Sequence, residues 1–131
     1  MTTTRTIVCV IDDDPSVRRG LERLLRSAGF AARGFASAEA FLEEGCPDAS
    51  CCCLVVDVRM PGMGGLGLQR HLATAGNRTP VIFITAHDDD QVAAEAMRGG
   101  AKAFFHKPVD DQALIEAITS SVHSASSDEE E

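Results

Sequence analysis

A chain of 131 residues with 44% hydrophobic side chains is long enough for one domain with a full core, and too apolar to remain disordered. No apolar run reaches the length of a membrane span, and a net charge of −8 offers no basic footprint for nucleic acid, so neither membrane insertion nor direct DNA binding is expected. The start Met1-Thr2-Thr3-Thr4-Arg5 leads straight into a strand-like run with no secretory signal, which reads as a cytoplasmic chain.

Thr6 to Ile11 is a continuous apolar run that breaks into Asp12-Asp13-Asp14-Pro15. The pattern predicts a buried strand, an acidic loop and a helix opened by proline in its first turn, with Asp14 available as its cap. Val17, Leu21, Leu24, Leu25 and Ala28 recur at helical spacing, and Gly29 ends the helix. Phe30 to Phe35 reads as a short edge strand, with Arg33 and Gly34 marking the edge. Ser37 caps a short helix through Glu44, and Gly45-Cys46-Pro47-Asp48 is a loop.

Cys51 to Val58 is apolar except for Asp57, and Arg59-Met60-Pro61-Gly62 stops it. So short an apolar run fits a strand covered on both faces, as in a parallel sheet between helices. After the flexible Gly62 to Gly65 comes a helix carrying Leu66, Leu68 and Leu72. Val81 to Thr85 is a fourth buried strand, and a small helix begins at Asp88-Asp89-Asp90, runs through Met97 and stops at Gly99-Gly100. Lys102 to His106 reads as a fifth strand, ended by Lys107-Pro108. The last helix places Leu114, Ile115, Ile118 and Val122 on one face, and residues 124–131 are expected to form a frayed acidic tail. Five rounds of strand and helix specify an α/β fold, a single doubly wound parallel sheet with right-handed crossovers. Residues 1–123 form its one domain.

The five cysteines are Cys9, Cys46, Cys51, Cys52 and Cys53. An odd count argues against a disulfide framework, and three in a row on a strand alternate between opposite faces, which denies them zinc-ligand spacing. They read as small apolar strand residues.

In a parallel sheet all strand carboxyl ends share one edge, where open α/β sheets bind their ligands. That edge collects Asp12 and Asp13 after the first strand, Asp57 on the third, Thr85 on the fourth and Lys107 after the fifth. Three carboxylates in one small site raise one another's pKa unless counter-charges are present. Lys107 supplies one, and a hard divalent cation, Mg²⁺ by its preference for carboxylate, carbonyl and water, would supply two more. The arrangement suits an aspartyl nucleophile attacking phosphorus. Lys107 must turn back over the strand ends while Pro108 redirects the chain, so a cis Lys107–Pro108 bond is expected.

Together, Asp12-Asp13, Asp57 within Val56-Asp57-Val58-Arg59-Met60-Pro61, Thr85-Ala86 and Lys107-Pro108 resemble the receiver domain of two-component response regulators, over about residues 6–123. Gly29-Phe30, Phe35 to Leu42 and Asp57 to Pro61 are most similar to the FixJ-type branch. The resemblance implies a flavodoxin-like sheet of order 2-1-3-4-5 flanked by five helices. It implies Asp57 as phosphoacceptor, with Mg²⁺ bound by Asp13 directly, Asp12 largely through water, Asp57, and the Arg59 carbonyl. Thr85, Lys107 and the amides of Arg59 and Ala86 would hold the phosphoryl group, while Thr85 and Phe104 would form the switch. The partners it implies are a sensor histidine kinase or phosphotransfer protein, and a homodimer or downstream protein formed on phosphorylation through the fourth helix, fifth strand and fifth helix.

A Mg²⁺-dependent aspartyl phosphatase shares the nucleophile and metal, but wants a second Asp two residues on, where this chain has Arg59. A flavodoxin-like cofactor carrier would place phosphate after the first strand, where Asp12, Asp13 and Asp14 repel it. His87, two positions past Thr85, reads as a solvated loop histidine near the site mouth. Both a stand-alone regulator and the receiver part of a transcriptional regulator fit the sequence, and the acidic tail reads as a natural end.

Overall fold

The computed structural model describes residues 6–44, 52–87 and 89–130, with side chains described through Val122. Cys46, Cys51 and the Gly45 to Asp48 loop lie outside the described residues, as do the side chain of Cys52 and residue Asp88. Five strands, β1 (Ile7–Ile11), β2 (Ala31–Phe35), β3 (Cys52–Asp57), β4 (Val81–Thr85) and β5 (Ala103–His106), alternate with five helices. These are α1 (Pro15–Ser27), α2 (Ala38–Glu44), α3 (Gly64–Thr74), α4 (Asp90–Arg98) and α5 (Asp111–Glu130). All strand pairs are parallel, in the order β2-β1-β3-β4-β5. β2 takes the edge, as its Arg33-Gly34 pair suggested.

Local chemistry accounts for the element ends. Asp14 adopts an extended conformation and its carboxylate accepts from the N–H groups of Ser16 and Val17, with Pro15 opening α1. Ser37 Oγ accepts from the Ala40 N–H at the start of α2, and Asp110 does the same for Ala113 at α5. α5 is helical to Glu130 and so runs through most of the stretch expected as a frayed acidic tail. No glycine or proline follows Asp111 to stop the helical ladder, so the acidic run at its end does not set the boundary.

The sheet divides the core in two. Cys9, Ile11, Leu54, Val56 and Phe83 face Phe41, Leu68, Leu72 and Ala96 of α2, α3 and α4. Val8, Val10, Cys53, Val55, Ile82 and Ile84 face Leu21 and Leu25 of α1 and Leu114 and Ile118 of α5. Strand alternation therefore sends Cys9 and Cys53 into different layers. Burial first, and then the repulsion that two thiolates at Cys53 and Cys9 would exert on each other, push the Cys53 thiol up to about 12, so it stays a neutral core side chain. Strand order reverses around β1, which opens a crevice at the carboxyl ends of β1 and β3.

Candidate functional site

At the mouth of that crevice stand Asp12, Asp13 and Asp57, each with an oxygen within 4.8 Å of the others. β1 ends at Ile11, so Asp12 inherits the strand direction. Its N–H donates to the Phe35 carbonyl, its Oδ1 accepts from the Asp14 N–H at 2.9 Å, and its side chain is fully buried. Asp13 alternates outward and is exposed. Asp57 is the last residue of β3, paired in register with Ile84, and its Oδ1 accepts from the Arg59 N–H at 3.2 Å. α3 approaches so closely that a Cβ on Gly65 would lie 2.8 Å from the Asp57 carbonyl oxygen, and no larger residue fits there.

Lys107 reaches both inner carboxylates. Its Nζ donates to Asp12 Oδ2 at 3.1 Å and to Asp57 Oδ2 at 3.2 Å. Its backbone is fixed by its own N–H donating to the Thr85 carbonyl at 2.7 Å, and the Lys107–Pro108 bond is cis. Burial alone would lower the Lys107 pKa, but its hydrogen bond to Asp12 and the two facing carboxylates outweigh that and hold it above its ordinary value. Asp57 moves the same way for a different reason. Its burial, and then the Asp12 charge, raise its pKa, against the opposing pull of Lys107 and the Arg59 N–H. A single ammonium is therefore not enough for these carboxylates.

The donor set is all oxygen and carries three negative charges against one positive. Such a set fits a hard divalent cation such as Mg²⁺. The Arg59 carbonyl belongs to the loop beyond β3, which Glu39 of α2 braces by accepting from the Met63 N–H at 2.8 Å.

Thr85 ends β4 and is buried, and its Oγ1 accepts from the His87 N–H at 3.1 Å, which leaves its own hydrogen to donate. Ala86 follows it and is exposed, as is His87. Phe104 is half-buried in the α2–α4 layer, its ring 6.3 Å from Phe83 and 5.9 Å from His106, while Phe105 packs into the opposite layer.

Several site contacts were not legible in the sequence. Arg18 Nη1 donates to the Asp12 carbonyl at 2.7 Å, and the Arg59 guanidinium lies 3.6 Å from Asp89. Gln69, buried on α3, donates to the Ala96 carbonyl of α4 at 2.9 Å. Long polar side chains carry no periodic signal, so only coordinates locate their partners. The second acid of a phosphatase does not appear at the position two beyond Asp57, where the Arg59 side chain is instead paired with Asp89.

Comparison with known proteins decides the family. The profile of the response regulator receiver domain matches residues 8–119. The chain belongs to the response regulator receiver family. Receiver domains are the signalling domains of two-component systems rather than enzymes in the ordinary sense, and they interact with histidine kinases. The FixJ-type character is supported by curated relatives. The chain is 47% identical to the transcriptional regulatory protein FixJ of Azorhizobium caulinodans over 116 residues, which cover 88% of this receiver and 54% of that protein. It is 45% identical to nodulation protein W of Bradyrhizobium diazoefficiens over 115 residues, 88% of this receiver and 50% of that protein. The chain thus spans about half the length of these relatives. Among solved structures, FixJ-N superposes with a TM-score of 0.84 at 40% identity, over 92% of this receiver and 96% of that chain. The response regulator StyR superposes with a TM-score of 0.89 at 43% identity, over 97% of this receiver and 64% of that chain. In the receiver, no helix among the described residues is long and apolar enough to cross a membrane.

Proposed function

We propose that Asp57 accepts a phosphoryl group from the phosphohistidine of a sensor kinase or phosphotransfer protein, and that residues 1–123 act as the receiver unit. The observation that carries this reading is the double contact of Lys107 with Asp12 and Asp57 at the β1–β3 crevice, beside the exposed Asp13. An Asp57 carboxylate oxygen forms the new bond to phosphorus while the phosphorus–nitrogen bond of the donor breaks, its electron pair passing to the imidazole. Lys107 faces the growing negative charge, and the Thr85 hydroxyl and the amides of Arg59 and Ala86 are the available donors for the phosphoryl oxygens. Asp12, Asp13, Asp57 and the Arg59 carbonyl would hold Mg²⁺, which when bound supplies charge neutralisation at the phosphoryl oxygens and leaves Asp57 ionised for attack.

Output follows from the same residues. Thr85 drawn toward a phosphoryl group would vacate space on the α4 side of β5, where Phe104 is only half-buried and adjusts to it. The face of α4, β5 and α5 then presents a new surface for a homodimer or a downstream protein. A cytoplasmic setting belongs to the same proposal. Mass spectrometry after incubation with acetyl phosphate or a phosphorylated kinase tests it. One added phosphoryl group is expected in the wild type with Mg²⁺, and none in Asp57→Asn or in excess EDTA. A group retained by Asp57→Asn refutes the assignment.

A further inference from the structure

Asp89 stands between this site and α4. Its Oδ1 accepts from the N–H groups of Gln91 and Val92, at 3.1 and 3.2 Å, and so caps the helix. Its Oδ2 lies 3.6 Å from Arg59 Nη2. The backbone N–H of that same Arg59 is bonded to Asp57 Oδ1. One carboxylate thus starts α4 with one oxygen and with the other holds the side chain of the residue two beyond Asp57.

We infer that Asp89 is a positioning residue that couples charge gained at Asp57 to the N-terminal end of α4, through competition for the Arg59 guanidinium. The inference rests on the phosphoacceptor reading above. The two side chains are 53% and 37% exposed, and an exposed pair of this kind is weak and screened by salt. A phosphoryl group on Asp57 adds charge and three acceptor oxygens, the geometry that arginine matches best. Arg59, anchored beside it, exchanges Asp89 for the phosphoryl group.

The far end of α4 does not share this fate. There Gln69 holds the Ala96 carbonyl and Arg70 pairs with Glu95 at 3.0 Å, both from α3. Ala96, at that pinned end, is the fully buried side chain of α4, and Val92 near the first turn is half-buried. Loss of the Asp89 tether therefore frees the first turn of α4 about a pinned C-terminal end. The route does not pass through Thr85 or Phe104.

Asp89→Asn keeps a capping oxygen and removes the ion pair, and Arg59→Gln removes the pair from the other side with the cap intact. Amide exchange over residues 90–98, with phosphorylation of Asp57 followed by mass in the same samples, reads the outcome. At low salt the first turn of α4 should exchange about two- to fivefold faster in both unphosphorylated variants than in the wild type, the range expected for an exposed pair. The wild type should rise to their level at about 0.5 M NaCl, where the pair is screened, while the variants should not respond to salt. Phosphorylation should speed this turn in the wild type and add nothing there in Asp89→Asn, while the response of β5 persists in both. Variants that match the wild type at low salt, or an Asp89→Asn protein that responds to phosphorylation by the wild-type factor, overturn the inference and leave the phosphoacceptor reading standing. A wild type that takes no phosphoryl group on Asp57 removes both.

Discussion

The two layers that sandwich the sheet are built differently. On the α1–α5 side, Leu25, Leu114 and Ile118 are fully buried against Val8, Val10, Val55, Ile82 and Ile84. On the α4 side the helix completely buries only Ala96 and exposes Met97, and it is tied to its surroundings by the polar contacts of Asp89, Glu95 and the Ala96 carbonyl. Burial of a large aliphatic side chain contributes roughly 1.5–3 kcal/mol and has no alternative partner to exchange with. A polar contact contributes about 1 kcal/mol or less and is readily exchanged for another. The first layer is a fixed wall, whereas α4, unlike the buried α2 and α3 beside it, can be re-sorted by a new charge.

The largest effect that sharpens this contrast comes from matched truncations. Leu114→Ala should cost about 2–5 kcal/mol in denaturant unfolding, whereas Val92→Ala on α4 should cost about 1 kcal/mol. Equal costs would mean that α4 is packed as firmly as α5.

Lys107→Met, at the rim between the layers, should cost about 2 kcal/mol at neutral pH, because it leaves the buried Asp12 facing Asp57 without a counter-charge. The folded pKa of Lys107 lies above the ordinary 10.5, so its contribution is full below that value and is lost as pH rises through the folded pKa. Above neutral pH the gap between wild type and variant should therefore close only in strongly alkaline solution, and millimolar Mg²⁺ should narrow it at neutral pH. A gap that closes near neutrality refutes the ion-pair account.

Gln69→Leu should cost about 1 kcal/mol and accelerate exchange in α4 more than in α1 or α5, since it removes the hydrogen bond to Ala96. A uniform acceleration would make the residue a general stability element rather than a tie of α4.

The smallest effect is a gain. The folded pKa of Asp57 is raised above the ordinary 3.8 by burial and by Asp12, so its cost is absent below that value and complete above the folded pKa. Asp57→Asn should raise the melting midpoint at pH 7 and lose that advantage as the pH falls toward 3.8. A variant less stable than wild type at pH 7 contradicts the sign.

The frame of the molecule was legible because it rests on short-range rules. The apolar runs at Ile7–Ile11, Cys52–Asp57 and Val81–Thr85 and the caps at Asp14 and Ser37 were read from pattern alone. The rim of Asp12, Asp13, Asp57, Thr85 and Lys107 followed once the strands were taken as parallel, because topology fixes which strand ends meet. The Arg18, Gln69 and Arg59–Asp89 contacts did not follow, since rotamers of long side chains are decided by tertiary neighbours. The extent of α5 did not follow from composition, because the acidic run at Asp128 to Glu131 resembles a tail, whereas helix continuation depends on the absence of a breaker.

Amide exchange across both layers, with and without phosphorylation of Asp57 and with Asp57→Asn as control, tests the central claim most directly. The account predicts faster exchange in the first turn of α4 and altered exchange in β5, with α1 and the buried turns of α5 unchanged, and no response in Asp57→Asn. Equal changes in both layers, or changes confined to α1 and α5, would contradict it.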